Sequence, residues 1–337
     1  MLFLAVVIPT FWVVLFRRLF RGRRHPLWSF RKELVAEIAR NTTLRLLDVE
    51  PNVLRRSLMT APIPLHLRFS VRHQRTSHGQ SYAEIFTPRR WTPDGPTLLY
   101  FHGGGYIAGS PATHRDLLTR IARASGARCI SVDYRKAPEY PYPIPVDDGE
   151  EAYRALLASG VPPERIFLGG DSAGGGMALA VMLRAKQSGV PLPRGGVLLS
   201  PWVDLTFTGA SVQGNAQYDY LTPDSLGFGA RHYLQGHDPS HPEVSPLFAD
   251  LSGLPPLLIQ SGDAELFFSE NTLLAENARR AGVEVVHQVE PGMVHVFQLF
   301  ASFAPECGPA IARIGHHMRE LGARSSSTAS AGLLKAG

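Results

Sequence analysis

The sequence Gly170-Asp171-Ser172-Ala173-Gly174-Gly175 lies between a largely apolar run, 165–169, and a strong helix-forming run, 177–184. A serine between glycines at a strand-to-helix turn is typical of a nucleophile elbow. The turn is so sharp that a side chain at position 170 or 174 would collide with a neighbouring element, and glycine avoids that collision. Such a turn holds the Ser172 hydroxyl at a helix N-terminus, where the helix dipole favours developing negative charge.

The same residues also fit a simple helix cap after a glycine-rich turn, because aspartate and serine both cap helices well. The surrounding sequence favours the elbow. Apolar runs alternate with helix-like segments from residue 97 to residue 320, which predicts an α/β fold with a mostly parallel sheet flanked by helices. The predicted strands are 97–101, 128–132, 165–169, 196–199, 256–260 and 284–289, and the predicted helices are 113–124, 147–158, a helix from 173 onward, and 298–320. Two half-buried strands precede them, one from Leu65 and one over 82–86.

Composition and charge exclude several classes of function. A chain of 337 residues, 44% of them hydrophobic, is long enough to bury one large core together with a small cap. Its two cysteines make no disulfide framework, and no Cys/His group has zinc-site spacing, so no metal is expected. The formal charge of +5 comes from seven basic residues in 1–32; subtracting them leaves −2, which argues against nucleic-acid binding.

The N-terminus is apolar and then basic. Residues 2–16 carry no charge, and a helix that also includes Leu19 and Phe20 would be ~28 Å long. We therefore predict a membrane anchor over 1–24, in the endoplasmic reticulum or a similar membrane, with the body on the cytoplasmic side of the basic residues. A core helix is the alternative. A cleaved signal peptide fits poorly, because the charges follow the apolar run.

The remaining chain divides by composition. Residues 25–64 are predicted to form N-terminal cap helices, and 65–322 the catalytic domain. Within that domain, residues 201–250 interrupt the alternation of strands and helices and are predicted to form a second cap segment. The Ser/Ala-rich tail, 323–337, is predicted to be disordered.

A glycine-rich loop follows the predicted strand 97–101. It reads His102-Gly103-Gly104-Gly105-Tyr106, and consecutive glycines let a substrate oxygen approach the backbone closely. A loop of this kind upstream of an elbow predicts an oxyanion hole formed by the N–H groups of Gly103, Gly104, Gly105 and Ala173.

A serine nucleophile needs a base and an acid. Of the thirteen histidines, His295 lies just after the last predicted strand, where it would reach the carboxyl edge of the sheet beside the elbow. A structural core histidine is the alternative reading of His295. The acid is expected after strand 256–260, where Asp263 and Glu265 both offer a carboxylate. The chain order serine, acid, histidine is that of a nucleophile-elbow hydrolase, and either acid can orient the imidazole.

Together with the elbow and the glycine loop, three further motifs carry a family resemblance. They are Asp133-Tyr134-Arg135-Lys136-Ala137-Pro138-Glu139, Ser200-Pro201-Trp202-Val203-Asp204 and Gly292-Met293-Val294-His295. Over about residues 65–320 the chain resembles the hormone-sensitive lipase family of α/β-hydrolases. The resemblance implies a helical cap over an eight-stranded sheet, and ester hydrolysis without a cofactor. It favours Glu265, which fits a Gly262-x-x-Glu265 register similar to the glutamate-using branch, and leaves Asp263 as the reserve acid.

These features predict a serine hydrolase that cleaves carboxylic esters through an acyl-enzyme. The expected partners are a small lipophilic ester, with a short- to medium-chain acyl group or an acetyl group, and the membrane. An amidase or deacetylase of the same mechanism is the first alternative, because the acyl chemistry is shared. A non-catalytic small-molecule receptor on the same fold is the second, and the presence of serine, histidine and acid candidates argues against it.

Overall fold

An eight-stranded sheet forms the centre of the molecule. The computed structural model describes residues 2–46, 49–57, 61–78 and 81–333. The strands are β1 Val71–His78, β2 Ser81–Pro88, β3 Thr97–Phe101, β4 Arg128–Val132, β5 Ile166–Asp171, β6 Gly195–Leu199, β7 Leu257–Gly262 and β8 Val285–Glu290. Their order in the sheet is β1-β2-β4-β3-β5-β6-β7-β8. Only the β1–β2 and β2–β4 pairs are antiparallel, so the predicted mostly parallel, eight-stranded sheet is confirmed.

Helices cover both faces of this sheet. They are α1 Leu2–Phe20, α2 Phe30–Leu46, α3 Pro51–Ser57, α4 Leu65–Arg68, α5 Arg115–Ser125, α6 Ile144–Ala158, α7 Ala173–Gln187, α8 Ala210–Gly214, α9 Pro223–Leu234, α10 Phe268–Arg280 and α11 Gly308–Leu333. Side chains of α6, α7 and α10 belong to the larger hydrophobic core on one face, and those of α5 and α11 to the core on the other. Strands β3, β4, β5, β6 and β7 are buried between the two layers, which explains their apolar sequences.

Three sequence-based boundaries differ from the structure. The first strand begins at Val71, because residues 65–68 form the short helix α4. The segment 298–320 is not one helix: short 3₁₀ turns occupy 297–300 and 305–307, and α11 begins only at Gly308. Finally, α11 ends at Leu333 and not at residue 320; the last four residues of the tail 323–337 lie outside the described part of the chain, and its disorder stays a prediction.

The predicted membrane anchor over 1–24 is wrong, and with it the membrane localisation. Within the ranges that the structure describes, no helix is both long enough and apolar enough to cross a membrane. Helix α1 ends at Phe20 and carries Arg17 and Arg18 in its last turn, so its uncharged part is too short for a span.

Helix α1 packs instead against α2. Arg17 forms ion pairs with Glu33 (2.7 Å) and Glu37 (2.8 Å), and Arg18 binds Glu33 at 2.6 Å. The Asn41 amide donates a hydrogen bond to the Thr10 hydroxyl at 2.9 Å, so this side of α1 is specifically paired. Three of the basic residues that suggested a membrane-flanking cluster, Arg17, Arg18 and Arg24, therefore bind acidic residues of the next helix.

Candidate active site

The nucleophile elbow lies between β5 and α7, at the carboxyl edge of the sheet. Ser172 has φ 53° and ψ −124°, a strained conformation for a non-glycine residue, and its backbone is held by a hydrogen bond from its N–H to the Leu199 carbonyl at 2.9 Å. A Cβ at Gly174 would lie 2.0 Å from the Phe101 carbonyl oxygen, so only glycine permits helix α7 to approach β3 this closely. The Ser172 residue is 9% exposed and lines a cavity.

The glycine loop after β3 reaches the same cavity. Gly103, Gly104 and Gly105 all line it, and Gly104 has a φ of 128° that other residues rarely adopt. The Gly103 N–H donates to the Asp171 carboxylate at 3.0 Å. Of the three glycine N–H groups predicted for an oxyanion hole, this one already has a partner, which leaves Gly104, Gly105 and Ala173 as the candidate donors.

His295 follows β8 and lines the same cavity. It is 2% exposed, and its ring packs edge-on against Phe267 with 4.9 Å between ring centroids. Burial lowers the pKa of His295 to about 3, since the charged imidazolium is poorly solvated there. The imidazole is therefore neutral near pH 7, as a general base must be.

Of the two candidate acids, Glu265 is the one that approaches His295. One of its carboxylate oxygens, Oε2, lies 4.0 Å from His295 Nδ1, a buried nitrogen with no hydrogen-bond partner in the described residues. Asp263 instead accepts a hydrogen bond from the Gly292 N–H at 2.5 Å. The structure thus places Glu265 beside His295, which lines the same cavity as Ser172, while the Asp263 carboxylate binds a backbone group elsewhere.

Two residues without a role in the sequence analysis hold the Glu265 carboxylate. The Ser200 hydroxyl donates to Oε2 at 2.6 Å, and the Asn271 amide donates to Oε1 at 3.0 Å. Ser200 also accepts a hydrogen bond from the Val296 N–H at 3.1 Å, so it connects the acid loop to the histidine loop. The motif that begins at Ser200 contributed to the family resemblance, but nothing in its sequence indicated that Ser200 would bind Glu265. No sequence motif pointed to Asn271.

Burial dominates the electrostatics of Glu265. The carboxyl is fully buried, and this raises its pKa to about 8, although hydrogen bonds to Ser200 and Asn271 act in the opposite direction. Burial thus disfavours the charged forms of both His295 and Glu265.

The cavity has a volume of about 330 Å³ and three kinds of wall. The body supplies the glycine loop, Ser172 and His295. Helices α2 and α3 contribute apolar and small polar side chains, and the segment around α9 contributes further apolar ones. These cap residues are Thr42, Thr43, Leu46, Leu54, Leu221, Leu226 and Phe228. A largely apolar chamber that contains the Ser172 hydroxyl and the His295 imidazole suits a small lipophilic molecule that carries a reactive carbonyl.

Comparison with known proteins agrees with this geometry. A protein-family model described as an alpha/beta hydrolase fold matches residues 98–299. An acetyl-hydrolase of Streptomyces hygroscopicus is 43% identical over 242 residues, which is 72% of this chain and 80% of that protein. An esterase of Acinetobacter venetianus is 40% identical over 226 residues, or 66% of this chain and 75% of that protein.

Solved structures agree as well. The crystal structure of an esterase from the bacterial hormone-sensitive lipase family superposes with a TM-score of 0.74 at 36% sequence identity. The match covers 94% of this chain and 98% of that one, and so includes the cap as well as the sheet.

Proposed function

The chain belongs to the hormone-sensitive lipase family of α/β-hydrolases and is a carboxylic ester hydrolase, and we propose that it works through Ser172, His295 and Glu265. The observation that carries the proposal is the shared cavity. Ser172 at the strained elbow, His295 and the glycine loop all border one chamber, and Glu265 is the carboxylate beside the far nitrogen of the histidine. The nucleophile, the base and the glycine loop therefore border a single space, and the orienting acid lies behind the base.

In the first half-reaction, the Ser172 hydroxyl oxygen attacks the ester carbonyl carbon while His295 accepts the hydroxyl proton. The carbonyl oxygen becomes negatively charged and is stabilised by the N–H groups of Gly104 and Gly105 and by that of Ala173, the first residue of α7. The carbon–oxygen bond to the alcohol then breaks, and His295 returns the proton to the departing alcohol. The product is an acyl ester on Ser172.

In the second half-reaction, water takes the place of the alcohol. His295 accepts a proton from water as its oxygen attacks the acyl carbon, and the bond to Ser172 breaks as His295 returns the proton to the serine oxygen. The carboxylic acid leaves. Glu265 holds the imidazole ring and stabilises its cationic form in both steps. Its 4.0 Å separation from His295 Nδ1 is longer than a hydrogen bond, and we expect it to shorten when substrate binds.

The cavity favours compact, lipophilic substrates. Its volume of about 330 Å³ is at the lower end of the ~300–1,000 Å³ range of ligand pockets. Its cap walls are mainly leucine and phenylalanine, and one relative is named an acetyl-hydrolase. We therefore propose short- to medium-chain acyl esters, or acetyl esters of lipophilic alcohols, as substrates.

Hydrolysis of p-nitrophenyl esters from acetyl to palmitoyl tests this proposal. We expect turnover to be highest for the short chains and to fall steeply toward palmitoyl. The Ser172→Ala variant should lose at least 10³-fold in kcat while it keeps the circular dichroism spectrum of the unchanged protein.

Ser225→Ala is the matched control, because Ser225 lines the same cavity from α9 but lies away from the elbow. It should keep kcat within about threefold. Ester hydrolysis that persists in Ser172→Ala would disprove the assignment of the nucleophile, and preferred turnover of palmitoyl esters would disprove the proposed substrate range.

A further inference from the structure

A short stretch of the second cap segment, residues 215–219, binds both loops that carry the proposed acid and base. It lies between α8 and α9, and Asp219 is fully buried there. Its contacts with the catalytic body are made almost wholly to backbone groups of residues 263–266 and of His295. The position of these loops therefore depends on the cap as well as on the sheet.

The Asp219 carboxylate makes the central contacts. Its Oδ2 accepts a hydrogen bond from the Leu266 N–H at 2.8 Å, and its Oδ1 accepts one from the His295 N–H at 3.1 Å. Leu266 directly follows Glu265, so one carboxylate joins the backbone of the acid loop to the backbone of the base itself. A third hydrogen bond, from the Tyr220 N–H at 2.8 Å, fixes the carboxylate to its own segment.

Two neighbouring contacts restrain the same stretch. The Asn215 amide donates to the carbonyl oxygens of Asp263 at 2.9 Å and Glu265 at 2.8 Å. From the other side, Arg40 of α2 donates to the Asp219 carbonyl oxygen at 2.5 Å. The acid loop is thus held at three of its backbone groups by the cap, and the cap stretch is in turn held by the N-terminal helices.

The charge of Asp219 is stabilised by backbone N–H groups. Burial raises the pKa of Asp219 to about 6, while the N–H groups of Leu266, His295 and Tyr220 act to lower it. The other titratable side chains around it are Arg40, Tyr220 and Glu265. At pH 7.5 the carboxylate is mainly ionised, and hydrogen bonds to an ionised acceptor are about twice as strong as neutral ones.

We propose that Asp219 is a positioning residue that fixes the backbone of His295 relative to that of Glu265, and so sets the geometry of the triad from the cap. The inference rests on the proposed function of those two residues. Its physical basis is the steep dependence of catalysis on geometry, since a misplacement of about 1 Å costs on the order of 10²-fold in rate. Asp219 contacts no reacting atom and acts on the two loops through their backbone; after burial, its negative charge is a further cause of the raised pKa of Glu265.

The test substitution is Asp219→Asn. Asparagine has the same size but only one acceptor oxygen, so its NH₂ group must face the N–H of either Leu266 or His295. We expect kcat for p-nitrophenyl butyrate to fall about 10- to 100-fold, with KM within threefold, in protein whose circular dichroism spectrum is unchanged. If Asp219→Asn does not fold, Asp219→Ser, which leaves one smaller acceptor, replaces it under the same criteria.

Asp204→Asn is the matched control. Asp204 is also fully buried in the second cap segment, but its carboxylate accepts hydrogen bonds from the Thr206 N–H and from the Thr206 and Thr208 hydroxyls, all within its own loop. This variant should keep kcat within threefold. A loss below tenfold in Asp219→Asn, or an equal loss in both variants, would overturn the proposal.

A double-mutant cycle separates positioning from general destabilisation. In a Glu265→Gln background the acid function is already lost, so adding Asp219→Asn should cost less than a further threefold in kcat. A full further tenfold loss would show that Asp219 acts independently of the triad and would overturn the proposal. Ser172→Ala, measured alongside, reports separately on the proposed function: if it stays active, the failure lies with the nucleophile and not with Asp219.

Discussion

The pairing of Glu265 with His295 determines how the site responds to pH. Both side chains are almost fully buried, and burial raises the pKa of Glu265 to about 8 and lowers that of His295 to about 3. Near neutral pH the Glu265 carboxyl therefore carries a proton and His295 does not, and this proton is lost as the pH rises through about 8. Only after that step is the imidazole neutral while the carboxylate is charged, which is the state that can accept the serine proton and stabilise the resulting cation.

We accordingly predict an alkaline activity profile. Because Glu265 must lose its proton, kcat/KM should rise with pH through about 8 and level off above it. The measurement uses p-nitrophenyl butyrate between pH 5.5 and 9.5. In Glu265→Gln this rise should disappear, and kcat should fall by about 10³- to 10⁴-fold, since a neutral amide cannot stabilise the imidazolium.

Asp263→Asn is the control for this prediction. The Asp263 carboxylate accepts a hydrogen bond from the Gly292 N–H, so the variant should keep the pH profile and stay within about threefold in kcat. A larger loss of kcat in Asp263→Asn than in Glu265→Gln would reverse the assignment of the acid. A pH profile of the unchanged protein that is flat across pH 8 would contradict the protonation of Glu265 near neutral pH.

At the scale of the elements, the elbow depends on the close approach of α7 to β3. An alanine at position 174 would place its Cβ 2.0 Å from the Phe101 carbonyl oxygen, a backbone atom that can move only with the strand. We predict that Gly174→Ala lowers the free energy of unfolding by about 3 kcal/mol or more and abolishes activity. Denaturant unfolding and the butyrate assay measure the two effects.

Gly227→Ala, within helix α9, is the matched control. The nearest atom to a Cβ there belongs to the flexible Arg231 side chain at 3.4 Å, so alanine should be accommodated. Because alanine is the better helix former, we expect a gain of about 0.5–1 kcal/mol. Comparable losses in both variants would mean that crowding at the elbow is not the cause.

The elements that the sequence predicts well are those whose neighbours are all apolar. Strands β3 and β4 have the bounds that the sequence predicts, 97–101 and 128–132, and β5 leads directly into the elbow. The edge of the sheet was less predictable. Residues 65–70 alternate like a strand, yet 65–68 form α4, because four residues carry too little periodicity to separate a helical turn from a strand. The break before α11 does have a local signal, because Pro305 and Pro309 cannot continue a preceding helix.

The candidate site shows the same division. Ser172, His295 and the glycine loop belong to motifs with a mechanical reason for their sequence, so they could be found without a structure. Ser200 and Asn271 could not, because their roles arise from hydrogen bonds to Glu265 across 65 and 6 positions of the chain, respectively. A polar residue in a cap or helix is common, and only the fold reveals which one faces a buried carboxylate.

At the scale of the whole molecule, ion pairs join the N-terminal helices to one another, and hydrogen bonds to backbone carbonyls join them to the body. Arg17 binds Glu33 and Glu37, and Arg40 donates to two carbonyl groups of the second cap segment. The sequence suggested a membrane anchor because it shows the basic residues but not their partners. These contacts place α2 and α3 over the cavity, where the two helices form part of its wall.

Arg55 of α3 is the contact through which this arrangement can be tested. Its guanidinium donates to the Ile107 carbonyl at 2.7 Å, to the Ala137 carbonyl and to Glu139, while the adjacent Leu54 lines the cavity. Arg55→Ala should loosen this wall and weaken binding of substrate and transition state alike. We predict that KM for p-nitrophenyl butyrate rises about 5- to 20-fold, with kcat within threefold.

The neighbouring Arg56 is exposed, and Arg56→Ala provides the control, with both constants expected within twofold of the unchanged protein. A selective fall in kcat in Arg55→Ala would mean that the contact with Ile107 shapes the oxyanion loop, three residues after Gly104, more than it holds the wall. An unchanged KM would mean that α3 stays in place without its arginine. The expected rise in KM alone would make the N-terminal helices a part of the binding site, held there by an arginine that binds the residue directly after the glycine loop.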